Sequence, residues 1–130
     1  MEAISVVVVD DSVTVLLFME EILKQISKAI PLHFKMFSSA KAALLYVDKF
    51  PSDVLITDVE MSEMSGIELV SKVKELKPNV RCVVVSSLTT PIDFTNAKVA
   101  GADSYLIKPV DVSHLRSILR LTSLRKNMTT

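Results

Sequence analysis

Two hydrophobic periods take turns along this chain. Short apolar runs at residues 6–9, 54–57, 82–85 and 105–107, rich in valine and isoleucine, show no clean alternation. That is the pattern of strands covered on both faces. A fifth run, residues 32–37, does alternate, with His33 and Lys35 between Phe34 and Met36, and reads as a half-exposed edge strand. Helical periodicity fills the intervals at about 13–29, 40–49, 67–77, 92–100 and 112–124. Ser39, Pro91 and Asp111 mark helix starts, Gly101 marks an end, and Pro31, Pro51 and Pro78 fall in the following turns. Five strand–helix units with connections too long for hairpins predict a parallel sheet with helices on both faces. Residues 1–124 form one domain in this reading, and 125–130 a frayed tail.

Composition narrows the class. The 130 residues carry 15 basic and 15 acidic side chains, a balance that offers no electrostatic footprint for nucleic acid or an anionic membrane. One cysteine excludes an internal disulfide, and Cys82, inside an apolar run, reads as a small buried hydrophobe. No segment approaches the length of a membrane span, and no signal peptide pattern is seen. The expectation is a cytoplasmic protein.

The chemistry-bearing residues sit where the strands end. Asp10 and Asp11 follow the first strand, Asp58 the third, Ser86 the fourth and Lys108 the fifth. In an open parallel sheet the ligand site lies beyond these carboxyl ends, where strand order reverses. Two carboxylates about 5 Å apart repel by roughly 3 kcal/mol at an effective dielectric of 20, so three of them call for a cation. Lys108 supplies one positive charge. Oxygen-only ligation for the remainder points to Mg²⁺ or a similar hard ion. His33 and His114 read as solvated surface residues, which argues against zinc.

The segments VVVVDDS, LITDVEMSEMSG, VVVSS and AGADSYLIKP together resemble the receiver domain of bacterial two-component response regulators. The resemblance implies a flavodoxin-like doubly wound five-stranded sheet of order 2-1-3-4-5. It implies that Asp58 is the phosphoryl acceptor and that Asp11 and Asp58 bind Mg²⁺ through their carboxylates, Glu60 through its backbone carbonyl and Asp10 mostly through water. Lys108 and Ser86 would contact phosphoryl oxygens, and Tyr105 matches an aromatic position that changes rotamer when the hydroxyl residue moves. Pro109 matches a position preceded by a cis peptide, here Lys108–Pro109. The implied partners are a sensor histidine kinase or histidine phosphotransfer protein and a downstream protein target. The last of these would read the surface of the fourth helix, fifth strand and fifth helix, with the domain a monomer or a phosphorylation-dependent dimer. Such a domain dephosphorylates itself slowly and is not a turnover enzyme.

Three positions depart from the family's usual pattern. Glu60 lies beside the path of attacking water and is expected to alter phosphoryl lifetime, Ser86 replaces the commoner threonine, and Ser62 stands where proline is common. Ser62 reads as a plain surface serine or as the mark of a looser loop. On the first helix, Val15, Phe18, Met19, Ile22, Leu23 and Ile26 form the inward stripe, while Val13 and Leu17 point away and offer a docking patch for the phosphodonor. On the last helix, Val112, Leu115, Ile118 and Leu119 face inward and Leu121 and Leu124 do not.

The favoured function is a stand-alone phosphorylation switch. A phosphorelay intermediate or phosphate sink is the nearest alternative, and a phosphorylation-independent pseudo-receiver is disfavoured by the intact set Asp10, Asp11, Asp58, Ser86 and Lys108. A flavin carrier is weakened by the presence of only two glycines. An aspartate-nucleophile phosphatase would need a second Asp two residues after the first-strand nucleophile, where Ser12 and Val13 stand.

Overall fold

The computed structural model describes residues 1–128. Ten elements alternate without exception: β1 (Ile4–Val9), α1 (Val13–Ile26), β2 (Leu32–Phe37), α2 (Ala40–Lys49), β3 (Val54–Asp58), α3 (Gly66–Leu76), β4 (Arg81–Ser86), α4 (Pro91–Ala100), β5 (Ser104–Ile107) and α5 (Val112–Met128). All strands run parallel in the order β2-β1-β3-β4-β5, the expected doubly wound topology. β2 is an edge strand whose His33 and Lys35 are exposed.

Parity along each strand divides the interior into two layers. Val6, Val8, Ile56, Val83 and Val85 pack under α1 and α5, against Met19, Leu23, Ile26, Leu115 and Leu119. Val7, Val9, Leu55, Cys82 and Val84 face α2, α3 and α4, against Ala43, Val47, Leu69, Val73 and Ala97. Full burial of each such aliphatic side chain contributes about 1.5 to 3 kcal/mol. The central strands have no polar face to show, which is why their sequences lack alternation. Cys82 is fully buried, and burial pushes its thiol up to about 12.

Helix ends are set by local chemistry. Ser12, Ser39 and Ser65 cap α1, α2 and α3 by accepting from Val15, Ala42 and Glu68 N–H. Thr90 and Asp93 form a reciprocal box at the start of α4 with Pro91 in the first turn, and Gly101 ends that helix at φ 110°. Asp111 accepts from Ser113 and His114 N–H at the start of α5.

Three expectations are corrected. α1 stops at Ile26 rather than Ala29, because Ser27 donates its hydroxyl to Lys24 O and the chain tightens into three-residue turns ahead of Pro31. α5 continues to Met128 instead of fraying at Arg125, since Lys126 Nζ reaches Ala3 O and Asp53 Oδ2, both at 3.0 Å. The remainder of the expected tail, Thr129 and Thr130, lies outside the described residues. Phe18 is 59% exposed rather than inward-facing. One residue from Met19 it sits about 100° around the helix, and it borders a cleft with Pro109 and Val110.

Candidate functional site: an acidic pocket at the carboxyl edge of the sheet

Strand register delivers the pocket residues to one place. Val9 pairs with Thr57, so Asp10 and Asp58 are the next residues on adjacent strands. Asp58 pairs with Val85 and Ser86 with Ile107, which puts Lys108 one step further on. The gap between β1 and β3 is also where the chain's winding reverses, the position at which open α/β sheets bind ligands. A second support comes from Gly66, at the start of α3. A Cβ there would lie 1.8 Å from Asp58 O, so only glycine lets that helix close against the strand end.

The carboxylates of Asp10, Asp11 and Asp58 have oxygens within 4.8 Å of one another. Asp10 is buried, Asp58 is half-buried and Asp11 is exposed. Lys108 Nζ stands 3.3 Å from Asp58 Oδ1 and 3.8 Å from Asp10 Oδ2. Burial holds the Asp10 carboxyl above the usual aspartate range, opposed by the Ser12 N–H at 2.9 Å and reinforced by the charges of Asp58 and Asp11. One ammonium against three carboxylates leaves excess negative charge in a site made only of oxygen donors. Such a donor set, open on the Asp11 side, fits a hard divalent cation.

Ser86 is buried, and its Oγ accepts from Leu88 N–H at 3.0 Å. The Leu88 carbonyl in turn accepts from the Tyr105 hydroxyl at 3.0 Å. The Tyr105 ring packs on Phe94 of α4, with centroids 4.4 Å apart. The hydroxyl residue and the aromatic residue are thus joined through one backbone unit. The Lys108–Pro109 peptide is cis. Glu60 and Ser62 are exposed on the β3–α3 loop. Val13 and Leu17 are exposed at 65% and 63%, and Phe18 joins them.

Sequence reasoning missed the backbone donors. Ser12 N–H on Asp10 and Ser62 N–H on Asp11, the latter at 3.2 Å, have no side-chain signature. It also missed Glu63, which accepts from the Ser39 hydroxyl and Lys41 N–H. The capped start of α2 lies 24 residues before Glu63, so no local signal announces the contact. The loop is held by Gly66 N–H on Val59 O, Ser62 N–H on Asp11 and the Glu63 carboxylate on the start of α2.

The fold is a doubly wound α/β sheet with an acidic, lysine-bearing pocket at its switch point. The profile of the response regulator receiver domain matches residues 6–120. The chain belongs to that family. Its fold superposes on a CheY-like receiver domain protein from Methanospirillum hungatei JF-1 with TM-score 0.83 at 20% identity, covering 99% of this chain and 100% of the other. The chemotaxis protein CheY4 of Vibrio cholerae gives TM-score 0.80 at 24% identity, covering 93% and 99%. In sequence the chain is 28% identical over 119 residues to the DNA-binding transcriptional regulator NtrC of Azospirillum brasilense, covering 92% of this chain and 24% of that protein. It is 30% identical over 116 residues to the transcriptional regulatory protein ZraR of Salmonella typhimurium, covering 89% and 25%. The chain therefore spans about a quarter of the length of these curated relatives. Among the described residues no helix is long and apolar enough to cross a membrane.

Proposed function

We propose that Asp58 accepts a phosphoryl group from a phosphohistidine on a sensor kinase or phosphotransfer protein. A carboxylate oxygen of Asp58 attacks phosphorus, the P–N bond breaks as the P–O bond forms, and the imidazole leaves with its electron pair to be protonated from solvent. The observation that carries this reading is the placement of Lys108 Nζ 3.3 Å from Asp58 Oδ1 inside a cluster of three carboxylates. That ammonium is positioned to stay with the transferred group and to share its added charge, about 1.5 to 2 units. A Mg²⁺ ion held by Asp11, Asp58, the Glu60 carbonyl and, through water, Asp10 would supply charge neutralisation at the equatorial oxygens. Ser86 keeps its hydroxyl hydrogen free of the Leu88 contact, in which its oxygen is the acceptor, and donates it to the phosphoryl group. The product is an acyl phosphate, and the slow return to carboxylate makes the domain a reversible mark rather than a turnover catalyst.

The signal leaves through Leu88. Drawing Ser86 toward the phosphoryl group disturbs its acceptor contact with Leu88 N–H, and the same residue's carbonyl holds Tyr105. Tyr105 and Phe94 belong to β5 and α4, so the surface read by a target is that of α4, β5 and α5. Moving such an equilibrium from 1:99 to 99:1 takes about 5.5 kcal/mol, within reach of a few charge-assisted hydrogen bonds at about 1.5 to 3 kcal/mol each. The phosphodonor docks on Val13, Leu17 and Phe18, exposed on the first turns of α1 beside the pocket.

The relatives' length supports a second reading of the output. In NtrC and ZraR the matching segment is about a quarter of a transcriptional regulator, so the mark on Asp58 acts either on a separate target or on further domains of the same regulator. Either output begins with the same step. Incubation with acetyl phosphate and Mg²⁺, followed by intact mass, should show one added phosphoryl group that Asp58→Ala lacks. A wild-type mass that stays unchanged, or a gain that persists in Asp58→Ala, would sink the reading. Replacing Val13 and Leu17 with glutamate should slow transfer from a cognate kinase about tenfold or more while leaving reaction with acetyl phosphate near its original rate. Equal slowing of both would remove the docking role.

A further inference from the structure

The loop from Asp58 to α3 is fastened on both flanks, and one fastening lands on the pocket. Gly66 N–H donates to Val59 O at 2.9 Å, closing the loop on itself. Glu63 Oε1 accepts from the Ser39 hydroxyl at 2.6 Å and from Lys41 N–H at 3.2 Å, seating its carboxylate on the first turn of α2. Between these anchors Ser62 N–H donates to Asp11 Oδ2 at 3.2 Å. The three pocket aspartates are held by different means. Asp10 is held by burial and by Ser12 N–H, and Asp58 by its place in β3 and by Lys108. Asp11 is exposed, and an exposed aspartate loses side-chain freedom when it ligates a cation.

We propose that the main-chain N–H of Ser62 is a positioning group for Asp11, so that this chain holds a divalent cation more tightly than it would with proline at position 62. The inference rests on the cation-assisted reading above. A carboxylate has about four lone-pair sites, so an oxygen that accepts from Ser62 leaves its partner oxygen available for the cation. Ordering Asp11 beforehand removes part of the entropy lost on binding. Because the donor is backbone, any residue but proline can supply it at this position. The hold is transmitted from α2, because Glu63 anchors the adjacent residue. A serine that looks like surface filler in the sequence thus ties the pocket to the start of a neighbouring helix.

The test is calorimetric titration of the full chain with MgCl₂ for the wild type, Ser62→Ala, Ser62→Pro and Glu63→Gln, with melting in EDTA to confirm folding. Ser62→Pro should bind Mg²⁺ about tenfold more weakly than Ser62→Ala, the lower end of what losing a partner of a metal-binding side chain causes. Glu63→Gln, which weakens the anchor and leaves the N–H in place, should weaken binding about threefold. Amide hydrogen exchange at residue 62 provides a reading independent of proline, and should be slower in the wild type than in Asp11→Ala. Ser62→Pro binding Mg²⁺ as well as Ser62→Ala, or equal exchange at residue 62 in the wild type and Asp11→Ala, would overturn the inference while leaving the function intact. Failure of the wild type to bind Mg²⁺ would instead strike the cation-assisted reading itself.

Discussion

The two ends of the sheet use the same chemical parts to opposite effect. At the amino end, Asp53 accepts from Ser5 N–H at 2.7 Å and pairs with Lys126 at 3.0 Å, and Asp103 accepts from Cys82 N–H and from Lys74, both at 2.8 Å. Each of these two carboxylates has its own lysine and its own backbone donor. At the carboxyl end Asp10 and Asp58 share Lys108, with Asp11 clustered beside them, and the buried Asp10 carboxyl is held above its ordinary range by desolvation. One end is satisfied within the chain. The other holds uncompensated charge, a condition that suits a site awaiting a cation and a phosphoryl group and adds nothing to resting stability. At the amino end Lys126 ties the last turn of α5 to Ala3 and Asp53, the residues just before β1 and β3.

The sharpest way to break this contrast is to move the backbone that carries the carboxyl end. Gly66→Ala would drive a Cβ into Asp58 O and should destabilise the protein by about 3 kcal/mol, read by denaturant unfolding. A loss under about 1 kcal/mol would mean that α3 can retreat without consequence for Asp58. At the amino end, Asp53→Ala removes the acceptor of Ser5 N–H and the partner of Lys126, and should cost about 2 kcal/mol. The same substitution should scarcely change Mg²⁺ affinity, since the two ends share no ligand.

The smallest effect has the opposite sign. In EDTA, Asp10→Asn should stabilise the fold by about 1 kcal/mol, a rise of about 4 °C in Tm, because it removes a buried charge from the repelling cluster. Asp10's folded pKa exceeds its unfolded value, so its contribution to stability is fully present below the ordinary aspartate pKa and is lost as pH rises through the raised one. The advantage of Asp10→Asn should accordingly be largest at neutral pH and vanish in acid. Mg²⁺ should reverse the order, since a ligand at a hundred times its Kd adds about 2.7 kcal/mol to the state that binds it. A wild type more stable than Asp10→Asn in EDTA at neutral pH would contradict the account of the carboxyl end.

Most of the fold was legible because its signals are local. Unalternating valine runs marked the central strands, the alternation of His33, Phe34, Lys35 and Met36 marked the edge, and Ser39, Pro91, Asp111 and Gly101 marked helix ends. The convergence of Asp10, Asp11, Asp58 and Lys108 was legible too, since parallel strands place all their carboxyl ends on one side. Phe18 was misjudged for a physical reason: it lies at the margin of the α1 stripe, where helical phase cannot tell packing on the sheet from bordering a cleft.

By itself, then, the amino-acid sequence determined the order and type of the elements, the edge character of β2 and the identity of the pocket side chains. These follow from periodicity and from residue chemistry. The tertiary structure alone decided which main-chain groups reach the pocket: Ser12 N–H on Asp10, Ser62 N–H on Asp11, and Leu88 between Ser86 and Tyr105. It also decided that α5 runs on to Met128, held by Ala3 and Asp53. Backbone donors are alike at every residue but proline, so only the path of the chain in space tells which of them does chemistry.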